Sequence, residues 1–259
     1  MDLIENKKVE QSVSRHPWEL SRCKIIEKTV KSIIKKNKDK KISIIDIGCG
    51  DAFVISTLCN FINFEEIFAV DINFTKEQID RLKLEHNKIV FYNHLSDVHI
   101  NPDFYHIILL NDVIEHVENH IEFLKYIDQT IIKKTTQSSF FITVPAFNHL
   151  FSQHDVDLGH FRRYEVLNLK EYNNILNLKI DKSGYFFFLL YLARAVERKF
   201  NKDKLENKNI GVSSWKHNKL VTKFIEQILL LDYNIGNAFD KIKITLPGLS
   251  TYIIFSKND

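Results

Sequence analysis

Three groups of residues in this 259-residue chain have the types and spacing to do chemistry. The first is "IDIGCGDAF", Ile45 to Phe53. Gly48 and Gly50 tolerate the backbone of a tight turn, and their missing side chains let a ligand approach. Asp46 puts a carboxylate where a pyrophosphate would otherwise sit, so the corner suits a ligand that brings a positive group. Asp71 follows about 20 residues later, which is the spacing of an acidic residue that accepts hydrogen bonds from ribose hydroxyls. A dinucleotide fingerprint G-x-G-x-x-G would need a small third residue, and Phe53 stands there instead. The turn therefore reads as a nucleotide site, but not one for NAD.

The second group is "NDVIEHVE", from Asn111. On a helix, Asp112, Glu115 and His116 fall at i, i+3 and i+4 and share one face. Asp112 and Glu115 read as a capping-box-like helix start or as part of a site. His116 reads as a general base, an acceptor-orienting group or a packed core histidine. The third group is "HDVDLGHFRRY", with His154, Asp155, His160, Arg162, Arg163 and Tyr164. Paired arginines bind carboxylate or phosphate through their forked donors. The stretch reads as a site for an acceptor with an anionic group, or as a surface loop in which Asp155 and Asp157 serve the arginines.

These groups need elements to hold them. "ISIIDIG" is short, β-branched and almost continuously apolar, as a buried strand is. "EEIFAVDI", "KIVFYNHL", "YHIILLND" and "SSFFITVPAF" repeat that character. Between them lie helical patterns: "AFVISTLCNFI", "TKEQIDRLKLEH" with Thr75 as N-cap, and a long helix over "VIEHVENHIEFLKYIDQTII". Alternating strands and helices imply a parallel sheet covered on both faces. A further helix runs from about Trp18 to Ile34. Beyond Pro145 the expectation is an irregular stretch, a helix near "EVLNLKEYNNIL", a strand near "LKIDKSGYF", a helical region of about fifty residues to Asp240, and a closing strand "LSTYIIFSK". We divide one domain, 1–259, into an N-terminal helical segment (1–40), a nucleotide-binding core (41–184), a helical insertion (185–242) and a closing strand (243–259).

"IDIGCGDAF", "VDIN" and "NDVIEHV", in order at the ends of strands one, two and four, resemble the class I S-adenosylmethionine-dependent methyltransferases. The resemblance covers roughly Ile42 to Tyr164. It implies an α/β, Rossmann-like sheet of seven strands, mostly parallel, with strand seven antiparallel. It implies S-adenosylmethionine as cofactor, with Asp46, Gly48, Cys49 and Gly50 at its methionine end and Asp71 and Ile72 at the ribose. Asn93, His94 or Leu95 would lie near adenine, with Asn111 and Asp112 on the remaining side. The family pattern usually has glycine where Ala52 stands. His116, His154 and His160 are the catalytic candidates, and Arg162, Arg163 and Tyr164 the acceptor-binding ones. "HPWELSRCKII" resembles the pre-strand helix of this group, with His16, Trp18 and Arg22 as candidates to close over the cofactor or to pack. No Asn/Asp-Pro-Pro-aromatic motif follows strand four, which argues against base N-methylation, and the Pro-Cys nucleophile of pyrimidine carbon methylation is missing. A narrower resemblance, to small-RNA 3′-terminal 2′-O-methyltransferases and some ubiquinone-pathway O-methyltransferases, implies a divalent metal on Glu115, His116 and His154 or His160, polarising an acceptor hydroxyl.

The expected function is methyl transfer to a small-molecule or a glycan- or lipid-linked acceptor, at oxygen. The rival readings are a metal-assisted RNA 2′-O-methyltransferase and a cofactor-binding subunit without catalysis. The formal charge of +3 is too mild to imply nucleic acid. The opening residues hold no apolar core of a secretory leader. The cysteines Cys23, Cys49 and Cys59 have no paired spacing, and a reduced, cytoplasmic setting is expected. The lysine-rich stretches Lys35 to Lys41 and Arg198 to Lys208 read as solvated punctuation. "YFFFLLYLARAVERKF" is too short to span a bilayer. It reads as an amphipathic core helix, a cover for a greasy acceptor, a peripheral membrane contact or a subunit-pairing element.

Overall fold

The apolar runs of the sequence become the strands of a seven-stranded sheet in the computed structural model, which describes residues 15–200 and 218–257. The strands are β1 (Ile42–Ile47), β2 (Glu66–Val70), β3 (Val90–Tyr92), β4 (Tyr105–Asn111), β5 (Gln137–Pro145), β6 (Lys179–Phe186) and β7 (Ser250–Lys257). Their order across the sheet is β3-β2-β1-β4-β5-β7-β6. β1 to β5 run parallel, and β7 is antiparallel to both β5 and β6, as the resemblance implied. β1 is buried at every position and β4 at all but its last, which is why both lack the alternation of a half-exposed strand.

The helices are α1 (Pro17–Lys36), α2 (Phe53–Phe61), α3 (Lys76–Glu85), α4 (His120–Thr130), α5 (Gln153–Asp157), α6 (Val166–Leu176), α7 (Phe188–Phe200) and α8 (Lys219–Lys241). Thr75 caps α3 as expected, accepting from the Gln78 amide at 3.2 Å. The apolar core lies in two layers, one on each side of the sheet. Ile44, Ile107 and Phe141 face one layer with Ile26 of α1, and Ile45, Ile108 and Phe140 face the other with Leu124 and Ile127 of α4. The change of side from Ile44 to Ile45 is the pleat of the strand.

The sheet order reverses direction at β1 and β4. In open α/β sheets that switch point, at the carboxyl ends of the strands, is where ligands bind. Asp46, Asp71 and Asn111 all stand at or just beyond those ends. Part of the expected helical insertion, 201–217, lies outside the described residues, as does most of the second lysine-rich stretch.

One expected element does not form. The long helix over "VIEHVENH" is broken into a 3-10 turn, Ile114–His116, and a helix that starts only at His120. Asp112 takes a left-handed φ of 51°, so it is no N-cap, and the capping box with Glu115 is not made. The apolar spacing of Val113, Ile114 and Val117 imitates a helix. Long-range backbone bonds override it: Thr143 O accepts the Asp112 amide at 2.9 Å and Glu115 O accepts the Phe161 amide at 2.7 Å.

Candidate active site

The glycine corner is built from β1, β2 and the start of α2. Gly48 (φ 72°), Gly50 (φ 57°) and Ala52 (φ 61°) are all left-handed. Ala52 is fully buried there, at a conformation that disfavours any side chain. Gly48 is required for a second reason: a Cβ on it would lie 2.4 Å from Val113 Cγ2. The corner is tied to β2, since Val70 O accepts the Gly48 amide at 2.7 Å.

Asp71 is buried, and its carboxylate accepts the Gly50 amide and the Asn73 amide, each at 2.9 Å. It therefore shapes the turn in addition to standing at the end of β2. Asp46 is also buried. Burial pushes its carboxyl up to about 7, Asp71 adds to the rise, and the Asn111 amide and Arg22 oppose it. A dry carboxylate of this kind is short of positive charge, so the corner fits the cationic end of a sulfonium amino acid. Burial also raises the Cys49 thiol well above its ordinary range, which makes it inert packing. Ile72 is 75% exposed beside Asp71, and His94 is exposed beyond β3. Leu95, the alternative to His94, is core.

Arg22 reaches this site from α1. Its guanidinium pairs with Asp112 and donates to Thr143 Oγ1 at 2.5 Å, and Thr143 donates onward to Asn111 Oδ1 at 3.1 Å. Burial lowers Arg22 to about 10, with Glu115 and Glu19 holding it up. His16 acts as the N-cap of α1, and Trp18 packs with Phe187 at a ring distance of 6.4 Å.

Beyond β4, Glu115, His116 and His160 offer donor atoms that all lie within 4.8 Å of one another. The His116 and His160 rings meet edge to face, 4.6 Å between centroids. Glu115 is fully buried, and neither carboxylate oxygen bonds another residue among those described. Burial pushes it up to about 8, against the pull of Arg22 and Arg163. His154 lies on α5, outside this group, and burial lowers its pKa.

Asp155 organises the loop. Its Oδ1 meets His160 Nδ1 at 2.9 Å, and its two oxygens take the Arg163 fork at 2.7 and 3.0 Å. Against the cost of its burial, those bonds hold Asp155 well below the usual carboxylate range. In the neutral imidazole, an ionised Asp155 accepts a proton-bearing Nδ1, and that tautomer leaves His160 Nε2 with its lone pair.

The run Arg162-Arg163-Tyr164 is spent on the protein itself, so the expected paired-arginine anion site does not form from it. Arg163 is buried on Asp155. Arg162 donates to Val117 O and Glu118 O, each at 2.8 Å, and contacts His120. The Tyr164 hydroxyl donates to Ile114 O at 3.1 Å. The Arg162 and Tyr164 bonds clamp the 160s loop onto the 114–120 segment, while Arg163 ties it to Asp155. Asp157 serves Gln153 and not an arginine. Asp155 and Arg22 are the residues whose part in the site the sequence pattern understated.

A profile of the methyltransferase domain family matches residues 20–182. No curated protein matches the sequence. Among solved structures, the chain is similar to a candidate sarcosine dimethylglycine methyltransferase from Galdieria sulphuraria, 11% identical with a TM-score of 0.51, over 90% of this chain and 86% of that one. It is similar to Haemonchus contortus phosphoethanolamine N-methyltransferase 2 in complex with phosphomonomethylethanolamine and S-adenosylhomocysteine, 11% identical with a TM-score of 0.50, over 85% of this chain and 49% of that one. An S-adenosylmethionine-dependent methyltransferase from Archaeoglobus fulgidus is 20% identical, with a TM-score of 0.48, over 89% of this chain and 94% of that one.

Proposed function

The chain belongs to the methyltransferase domain family, an S-adenosylmethionine-dependent enzyme of the class I fold, and on that premise we propose that it methylates a hydroxyl oxygen of a small-molecule or glycan- or lipid-linked acceptor, with the His160–His116 pair at the acceptor side. The cofactor, when bound, supplies an electrophilic methyl group on a sulfonium, so the protein's task is mainly alignment and proton removal. Asp46, Gly48, the Cys49 backbone and Gly50 would hold its amino-acid end, Asp71 and Ile72 its ribose, and His94 the adenine side. Asn111 and Asp112 close the corner towards the acceptor.

The observation that carries the reading is the Asp155–His160 bond of 2.9 Å beside His116. Asp155 fixes the His160 tautomer. His160 Nε2 would then take the hydroxyl proton as the acceptor oxygen accepts the methyl group, which the bound cofactor would release with its sulfur keeping the electron pair. Arg162 and Arg163 position the loop and do not touch the acceptor. The test is turnover of labelled S-adenosylmethionine on hydroxyl and amine acceptors with the parent, His160→Gln and His116→Gln. The reading expects hydroxyl acceptors to be used and His160→Gln to lose about a hundredfold or more in kcat with S-adenosylhomocysteine affinity unchanged. Full turnover by both variants would refute it.

A second reading is favoured by Glu115. A buried carboxylate without a bond to another residue, within 4.8 Å of two imidazoles, is a donor set that fits a divalent cation. Glu115, His116 and His160 would hold the ion, which would polarise an acceptor hydroxyl, an RNA 2′-hydroxyl included. Metal analysis of the purified protein separates the readings: stoichiometric metal, with activity lost to a chelator and restored by the ion, selects this one.

A further inference from the structure

The solvent face of α8 is apolar where a surface helix is ordinarily polar. Thr222, Glu226, Leu229 and Leu230 are its buried side, and α8 packs on α1. Phe224, Ile228, Leu231 and Ile235 follow at spacings of four, three and four, so they form a stripe on the other side. They are 67%, 36%, 60% and 46% exposed. α7, which packs against α8, repeats the pattern with Leu192, Val196 and Phe200 exposed and none of its residues fully buried.

The charges beside these stripes are of one sign. Among the described residues of 188–200 and 218–244, the exposed charged side chains are Lys199, Lys219, Lys223, Lys241 and Lys243. Of the acids, Glu226 and Asp232 are buried, Glu197 pairs with Arg194, and Asp240 is half-buried. We infer that α7 and α8 form a docking face for a bilayer surface that contains anionic lipid. The stripes enter the headgroup–acyl boundary and the lysines meet the headgroups. No helix among the described residues is long and apolar enough to cross a membrane, so the contact is peripheral. A second copy of the chain fits this face less well, because among the described residues of the two helices it would bring the same lysines together with no exposed acid to meet them.

The face is joined to the site loop. Arg194 donates to Ser152 Oγ at 3.0 Å, Arg198 bonds Phe151 O, and Ser152 donates to Asp155 at 2.9 Å from its amide. Docking would therefore hold the loop of Asp155 and His160 behind α7, about one helix width from the bilayer. The inference rests on the two helices and not on the acceptor's identity.

The test is sedimentation of the full chain with vesicles of phosphatidylcholine alone and of phosphatidylcholine with phosphatidylglycerol. Preferential binding to the anionic vesicles, weakening with salt, is expected. Phe224→Ser with Leu231→Ser, both at exposed positions, should leave the melting temperature unchanged and lower binding on the order of tenfold or more. Lys219→Gln with Lys223→Gln should lower binding about fivefold per lysine on anionic vesicles only. Absence of binding at low salt overturns the inference, as does equal binding to neutral vesicles or full binding by the serine variant. A dimer that the serine variant abolishes, without vesicle binding, also overturns it and assigns the face to a second copy.

Discussion

Asp155 and His160 are joined twice: the His160 amide donates to Asp155 O at 2.8 Å, and His160 Nδ1 meets Asp155 Oδ1 at 2.9 Å. The backbone bond brings the ring to the carboxylate, and the side-chain bond selects which ring nitrogen faces outward. Asp155→Asn keeps the shape and loses the charge. Such a change costs an imidazole base its preferred tautomer, and second-sphere losses of this kind run to about 10–100-fold. We expect kcat to fall by that amount while S-adenosylhomocysteine affinity holds. The same variant leaves Arg163 buried without a counter-charge, at a cost of about 3 kcal/mol, read in a denaturant melt. Asp155→Asn at parental kcat would detach Asp155 from the chemistry.

Asp46 gives a pH dependence of known sign. Its folded value, about 7, lies above its ordinary value of 3.8. The unfolded chain therefore loses this proton first as pH rises, and stability falls between about pH 4 and 7, then levels. A shift of that size corresponds to on the order of 4 kcal/mol. Asp46→Asn should flatten this limb in the ligand-free protein and raise its melting temperature at pH 7. The same substitution should weaken S-adenosylhomocysteine binding most above pH 7, where the parent's carboxylate is ionised. A melting temperature at pH 7 lower in Asp46→Asn than in the parent would contradict the assignment.

Gly48 meets Val113 across the two halves of the site. Gly48→Ala forces a methyl to 2.4 Å from Val113 Cγ2 at a φ of +72°. The backbone term is about 1–2 kcal/mol and the overlap about 1–3 kcal/mol. The double variant Gly48→Ala, Val113→Ala should recover the overlap and keep the backbone term. Thermal melts of the two variants check this, and equal melting temperatures would mean that the contact does not limit the site.

Much of this architecture is legible in the sequence because burial leaves a local mark. β1 and β4 are continuous apolar runs since both of their faces are covered, and Asp46, Gly48 and Asp71 sit at strand ends that those runs define. The turn at Asp112 leaves no such mark. Val113, Ile114 and Val117 carry helical spacing, and what breaks the helix is a carbonyl taken by Phe161 and an amide held by Thr143. The two arginines of the 160s loop mislead for a related reason. Their residue type suits an anion, but their partners are decided by tertiary structure: α5 brings Asp155 to Arg163, and the segment before α4 brings the carbonyls of Val117 and Glu118 to Arg162. Sequence separation hid the partners of Arg22, which stand at the ends of β4 and β5, so the sequence offered it only as a candidate to close over the cofactor or to pack.

That separation makes Arg22 and Asp112 a test of whether α1 is part of the site. Arg22 is buried, while Asp112 keeps 25% of its side chain exposed, so water screens the pair only in part. Arg22→Met leaves Asp112 in a left-handed conformation without its counter-charge, and Asp112→Asn leaves Arg22 buried with a neutral partner. Each single change should cost about 2–3 kcal/mol. The double variant should cost less than the sum, with a coupling on the order of 1–2 kcal/mol, because neither charge is then stranded. Denaturant melts of the four proteins close the cycle. S-adenosylhomocysteine affinity read on the same four proteins separates packing from site. If α1 only packs, stability moves and affinity does not. If Arg22 holds Asp112 and, through Thr143, Asn111 in place, Arg22→Met lowers affinity as well, and Asp112→Asn does not restore it.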